Sequence, residues 1–110
     1  MKYIRTKDGK IYKIVDDFGT WTSNLISREI VEKALSGNEW FKGLGLNIIA
    51  QADTIEELCD EFVYNKQIFK TLKEALDYAP IGSEIYGAIW TDKGLIYVAK
   101  MNEKGKLKLL

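Results

Sequence analysis

The chain predicts an α+β domain: an antiparallel sheet built from N- and C-terminal hairpins, with about three helices packed on one face. Three observations carry that expectation. Residues 84–110 read as three short strands joined by two glycine-containing turns. The segment Ile4-Arg5-Thr6-Lys7-Asp8-Gly9-Lys10-Ile11-Tyr12 repeats the pattern of Ile89-Trp90-Thr91-Asp92-Lys93-Gly94-Leu95-Ile96-Tyr97, which makes both chain ends hairpins. Between them lie two segments that open like capped helices, so strands sit at the ends and helices inside.

The elements follow in order. Residues 3–6 and 11–15 form a hairpin around Lys7-Asp8-Gly9-Lys10, where Asp-Gly is a strong turn signal. Asp16-Asp17-Phe18-Gly19-Thr20 breaks the second strand. Ser27 is placed as the N-cap of a helix running to about Leu35, with Gly37 just beyond it as the C-terminal stop. Residues 38–45 read as a loop, and residues 46–50 as a short strand. Thr54-Ile55-Glu56-Glu57 fits a capping box, and Ile55, Leu58, Cys59, Phe62 and Val63 then recur at helical spacing, which predicts a helix on to Val63. Thr71-Leu72-Lys73-Glu74 opens another helix that Pro80 and Gly82 stop. Near the end, Lys106-Leu107-Lys108-Leu109 alternates as a strand with one wet face.

Composition narrows the function classes. At 110 residues the chain is expected to form one domain, residues 1–110, with its own core. It has no histidine, so the commonest general base and transition-metal ligand is missing. The single cysteine, Cys59, leaves no internal disulfide. No apolar run is long enough to cross a bilayer, and the start Met-Lys-Tyr-Ile-Arg has no secretory h-region behind it; a cytoplasmic location is expected, with no membrane partner. Formal charge is zero but uneven. Residues 1–13 carry Lys2, Arg5, Lys7, Lys10 and Lys13 against Asp8, and residues 100–110 carry four lysines against Glu103, so the middle of the chain is acidic.

Several features invite chemistry. On the expected helix, Asp53, Glu56, Glu57, Asp60 and Glu61 put five negative charges in nine residues. At i, i+4 spacing, Glu56 with Asp60 and Glu57 with Glu61 would repel by roughly 0.2–0.5 kcal/mol each. The cluster suits a cation site or a stand-in for nucleic-acid phosphates; a solvated face favoured by the helix dipole is the plainer reading. A cation site needs converging oxygens, and one helix face splays them, so no metal and no cofactor is expected. Lysines with Tyr3, Tyr12, Trp90 and Tyr97 on one sheet have the composition of a nucleic-acid platform. Lysines also protect sheet edges from aggregation, and a pI near 6.3 argues against a dedicated nucleic-acid binder. Cys59 lacks an activating histidine and has acidic neighbours, as an inert core thiol would. Gly43-Leu44-Gly45 lacks the third glycine and preceding strand of a phosphate loop. Beside it, Trp40 and Phe41, with Trp21, are either protein-binding anchors or plugs at the end of the core.

Three segments carry a resemblance: residues 1–12, residues 52–63 (Ala-Asp-Thr-Ile-Glu-Glu-Leu-Cys-Asp-Glu-Phe-Val), and residues 85–100 (Ile-Tyr-Gly-Ala-Ile-Trp-Thr-Asp-Lys-Gly-Leu-Ile-Tyr-Val-Ala-Lys). They resemble small uncharacterised proteins carried by phages and prophages of Gram-positive bacteria. The resemblance implies a phage accessory protein that binds a host protein, as anti-CRISPR and other anti-defence inhibitors do. It brings no catalytic residues with it. The expectation is therefore a non-enzymatic binder of a host macromolecule, with Glu56, Glu57, Asp60 and Glu61 in contact and Trp40 and Phe41 as anchors. A nucleotide-binding module and a single-strand nucleic-acid binder are the alternatives. A homodimer through a sheet edge is a further possibility of this topology.

Overall fold

The computed structural model describes residues 1–102 and 104–110. The N-terminal hairpin forms as its Asp8-Gly9 turn requires: β1 (Tyr3–Thr6) pairs antiparallel with β2 (Ile11–Val15). Gly9 adopts φ +94°, which suits glycine, and a Cβ there would lie 2.6 Å from Thr91 Cγ2. This turn therefore abuts the other terminal hairpin. β3 (Leu25–Ser27) runs parallel to β2, and β4 (Ile48–Ala52) pairs with β1, giving a four-stranded sheet of order β3-β2-β1-β4.

A second, five-stranded sheet has the order β6-β5-β7-β8-β9 and is antiparallel throughout. Its strands are β5 (Glu61–Tyr64), β6 (Gln67–Phe69), β7 (Tyr86–Thr91), β8 (Gly94–Met101) and β9 (Leu107–Leu109). The fold is thus α+β, but the terminal hairpins do not share one sheet. The second edge of β1 is taken by β4, and that of β7 by β5. The hairpins meet face to face instead, through Ile11 packed near Ala99.

Among the described residues there are four short helices, where about three were expected on one face. α1 (Arg28–Leu35) and α2 (Glu39–Gly43) cover the first sheet, burying Ile30, Val31 and Phe41 against Ile4, Ile14 and Ile26. α3 (Ile55–Leu58) inserts Ile55 and Leu58 between the sheets with Ile11, Ala52 and Ala99. α4 (Leu72–Tyr78) buries Ala75 against Phe62 and Ile85. The body measures 45 × 29 × 18 Å, longer than it is thick, with three core clusters along it.

The helix expected through residue 63 is corrected most. It spans only Ile55–Leu58, capped as foreseen by the Thr54 hydroxyl accepting from Glu57 N at 3.3 Å. Cys59 turns to an extended backbone, and the Asp60 amide donates to Ala88 O. Phe62, Val63 and Tyr64 then pair with β6 and β7, where β-branched and aromatic residues fit a pleated surface. Asn65 and Lys66, at φ +49° and +66°, make the tight turn into β6. The loop expected at residues 38–45 holds α2, opened by the Asn38 side chain accepting from Trp40 N at 3.0 Å. Ser27 does stand at the N-cap of α1, without a side-chain capping bond.

Candidate functional site

In the second sheet alternate residues face opposite ways. One set, including Phe62, Ile89, Ala99 and Leu107, points to α3, α4 and the first sheet. The cross-strand register puts Glu61, Val63, Ile68, Tyr86, Ala88, Trp90, Leu95, Tyr97, Lys100 and Lys108 on the other face. Among the described residues no helix lies over that face, and Ile68 is 53 %, Trp90 51 % and Tyr97 43 % exposed. The Tyr86 and Tyr97 rings stack at 4.9 Å and 20°. Glu61, Val63 and Ala88 lie buried at the base of this aromatic layer.

Three acids beneath or beside the layer, Glu61, Asp60 and Glu84, are each paired. The Glu61 carboxylate is only 2 % exposed; its Oε1 accepts from the Trp90 indole N–H at 3.2 Å and from the Lys70 ammonium. The Lys70 bond holds the Glu61 carboxyl below its ordinary range despite burial. Glu61 Oε2 is buried without a partner. Next to it, Asp60 takes a bidentate pair from Arg5, at 2.7 and 2.8 Å, and accepts from Trp90 N at 2.8 Å. Arg5 also donates to Leu58 O at 3.1 Å. It reaches from β1 to do so, tying the first sheet to the second, and it lowers the Asp60 pKa. On the far side Glu84 pairs with Lys100 at 2.8 Å, and Lys100 lies 5.8 Å from the Tyr86 ring centroid.

The residues singled out in the sequence scatter. Glu56 and Glu57 lie exposed on α3, whereas Asp60 is in the link after it and Glu61 is buried in β5, so the four acids do not form one helix face. Trp40 is 65 % exposed and Phe41 is buried; their rings meet edge-on at 4.9 Å. Both sit on α2, across the first sheet from α3. Tyr3 and Tyr12 belong to the first sheet, with Tyr12 in its core, so they do not share a platform with Trp90 and Tyr97. Burial above all pushes the Cys59 thiol up to about 12, which keeps it protonated at neutral pH. Among the described residues, no three Asp, Glu or Cys side chains gather as a metal set. Tyr86 and Ile68 were missed; the period-two run Tyr86, Ala88, Trp90 was the available signal.

No protein-family model, no curated protein and no solved structure matches the chain. Among the described residues, no helix is long and apolar enough to cross a membrane.

Proposed function

We propose that this chain is a non-enzymatic binding module that docks on another protein through the outer face of its five-stranded sheet. The observation that carries the reading is an uncovered layer of Trp90, Tyr86, Tyr97 and Ile68 seated on ion pairs that are already closed. Tryptophan and tyrosine dominate binding energy at protein interfaces. Acids paired in advance can be desolvated by a partner without leaving a bare charge. The same pairing disfavours single-stranded nucleic acid: Lys70 and Lys100, two cations that reach this face, are engaged by Glu61 and Glu84 rather than free for phosphates.

The resemblance of the chain ends to phage-borne accessory proteins makes a cytoplasmic host protein the partner class to test first, with defence proteins foremost. The test compares captures from a Gram-positive host lysate by the native chain, by a Trp90→Ala/Tyr97→Ser variant and by a Glu56→Lys/Glu57→Lys variant. The expected result is a protein retained by the native and charge-reversed chains and lost with the aromatic variant. Loss on charge reversal, with retention by the aromatic variant, would move the contact to α3 and refute the reading.

A further inference from the structure

The edge of the same sheet carries a second, separate surface. β9 ends the five-stranded order, so only one of its edges is paired. Leu110 N donates to Val98 O at 3.1 Å and Asn102 N to Lys106 O at 2.8 Å. Those bonds, with Lys108 opposite Lys100, turn the backbone groups of residues 106, 108 and 110 toward β8. The N–H and C=O groups of Leu107 and Leu109 therefore face outward, and no other element supplies them a backbone partner among the described residues. Side chains alternate on the same strand. Leu107 and Leu109 lie on the core side, while Lys106 and Lys108 are exposed.

We infer that β9 accepts an added strand from a peptide in which acidic and apolar residues alternate. Unpaired backbone groups provide the ladder, and the side chains provide the code. Opposite Leu107 and Leu109 an apolar residue continues the buried face, and opposite Lys108 an acid completes a cross-strand ion pair. The charge of the strand favours this partner, since Lys104, Lys106 and Lys108 lie exposed on and beside β9, whereas Lys100 is taken by Glu84. The end of β9 also opens onto a groove of about 1270 Å³ lined by Leu76, Ile81, Lys104, Lys108, Leu109 and Leu110. Ile81 is fully exposed there, so a longer peptide finds an apolar and basic seat beyond the strand. A second copy of the chain fits poorly. The register that pairs Leu107 with Leu109 of the copy sets two Lys108 side chains directly opposite, and like charges in that position repel. The inference does not depend on the aromatic face.

The experiment uses the full chain and a dye-labelled octapeptide of alternating Glu and Val, read by fluorescence anisotropy at low salt, with hydrogen exchange followed by NMR. Expected is saturable binding that a Lys-Val peptide lacks, and slowing of the Leu107 and Leu109 amides by about tenfold or more. N-methylation at the Val positions, whose amides face β9, abolishes binding, while N-methylation at the Glu positions leaves it. Lys108→Glu weakens binding by about tenfold, and Trp90→Ala leaves it unchanged. Absence of saturable binding, indifference to which amides are methylated, or a free chain that is already dimeric with these amides protected would each overturn the inference.

Discussion

Removing the Asp60 carboxylate tests how the two sheets are joined. Asp60→Ala deletes two bonds from Arg5, at 2.7 and 2.8 Å, and the acceptor of Trp90 N at 2.8 Å. The Arg5 side chain is 14 % exposed and its Nε already lacks a partner, so its charge would be left with only Leu58 O at 3.1 Å and Trp90 O at 3.4 Å. Stranding a buried charge costs about 3–5 kcal/mol. Asp60 itself is 33 % exposed, so water replaces part of the loss. The expected destabilisation is about 2–4 kcal/mol, a large share of the roughly 5–15 kcal/mol that holds a domain of this size. Arg5→Met in the same chain removes the stranded charge and fills the space with apolar atoms. The double variant should therefore lose less than the two single variants together, by about 1–2 kcal/mol. Urea unfolding at neutral pH, followed by circular dichroism and tryptophan fluorescence, measures each corner of the cycle. A cost below about 0.5 kcal/mol for Asp60→Ala, or strict additivity, would show that this pair does not bind the sheets together.

Other consequences concern the interior and its titration. A Cβ on Gly87 would meet Cys59 Sγ at 2.7 Å, so Gly87→Ala should cost about 1–3 kcal/mol by overpacking. Cys59→Ala should relieve most of that cost, as paired thermal melts would show. The native Cys59 thiol, pushed up to about 12, should resist a disulfide reagent at mildly alkaline pH and react on addition of urea; prompt reaction of the folded chain would contradict its burial. Asp60 and Glu61 are both held below their ordinary values, by Arg5 and Lys70 first of all. Depressed carboxyl pKa values contribute stability above the unfolded-state values and lose it as the pH falls through the folded ones. Unfolding free energy should therefore hold near neutrality and decline below about pH 5, with a shallower decline in Asp60→Asn.

The short-range parts of this fold were legible in the sequence. Asp8-Gly9 and Asp92-Lys93-Gly94 announced the terminal hairpins, and Thr54 and Thr71 announced the caps that accept from Glu57 and Glu74. Pairings between distant strands were not. Ile55, Leu58, Cys59, Phe62 and Val63 are spaced for a helix, but β7 offers Phe62 and Val63 a ladder, and Arg5, fifty-five residues earlier, fixes Asp60 in the link. The acidic run was misread for the same reason. Its charges were visible, but the cations that take two of them lie on β1 and just after β6. Local periodicity held one clue to the site, the alternation through Tyr86 and Trp90. That this face stays uncovered depends on where α4 packs, which is decided by Ala75 and Ile85 rather than by any residue of the face itself.

The central claim is that partners are met by the aromatic face of the second sheet. Titrating the isotopically labelled chain with the captured host protein, and following amide and indole N–H signals by NMR, tests it most directly. Perturbations centred on Trp90, Tyr86, Tyr97 and Ile68 are predicted. Perturbations confined to Glu56 and Glu57, or to Trp40, with the sheet face unmoved, would contradict it.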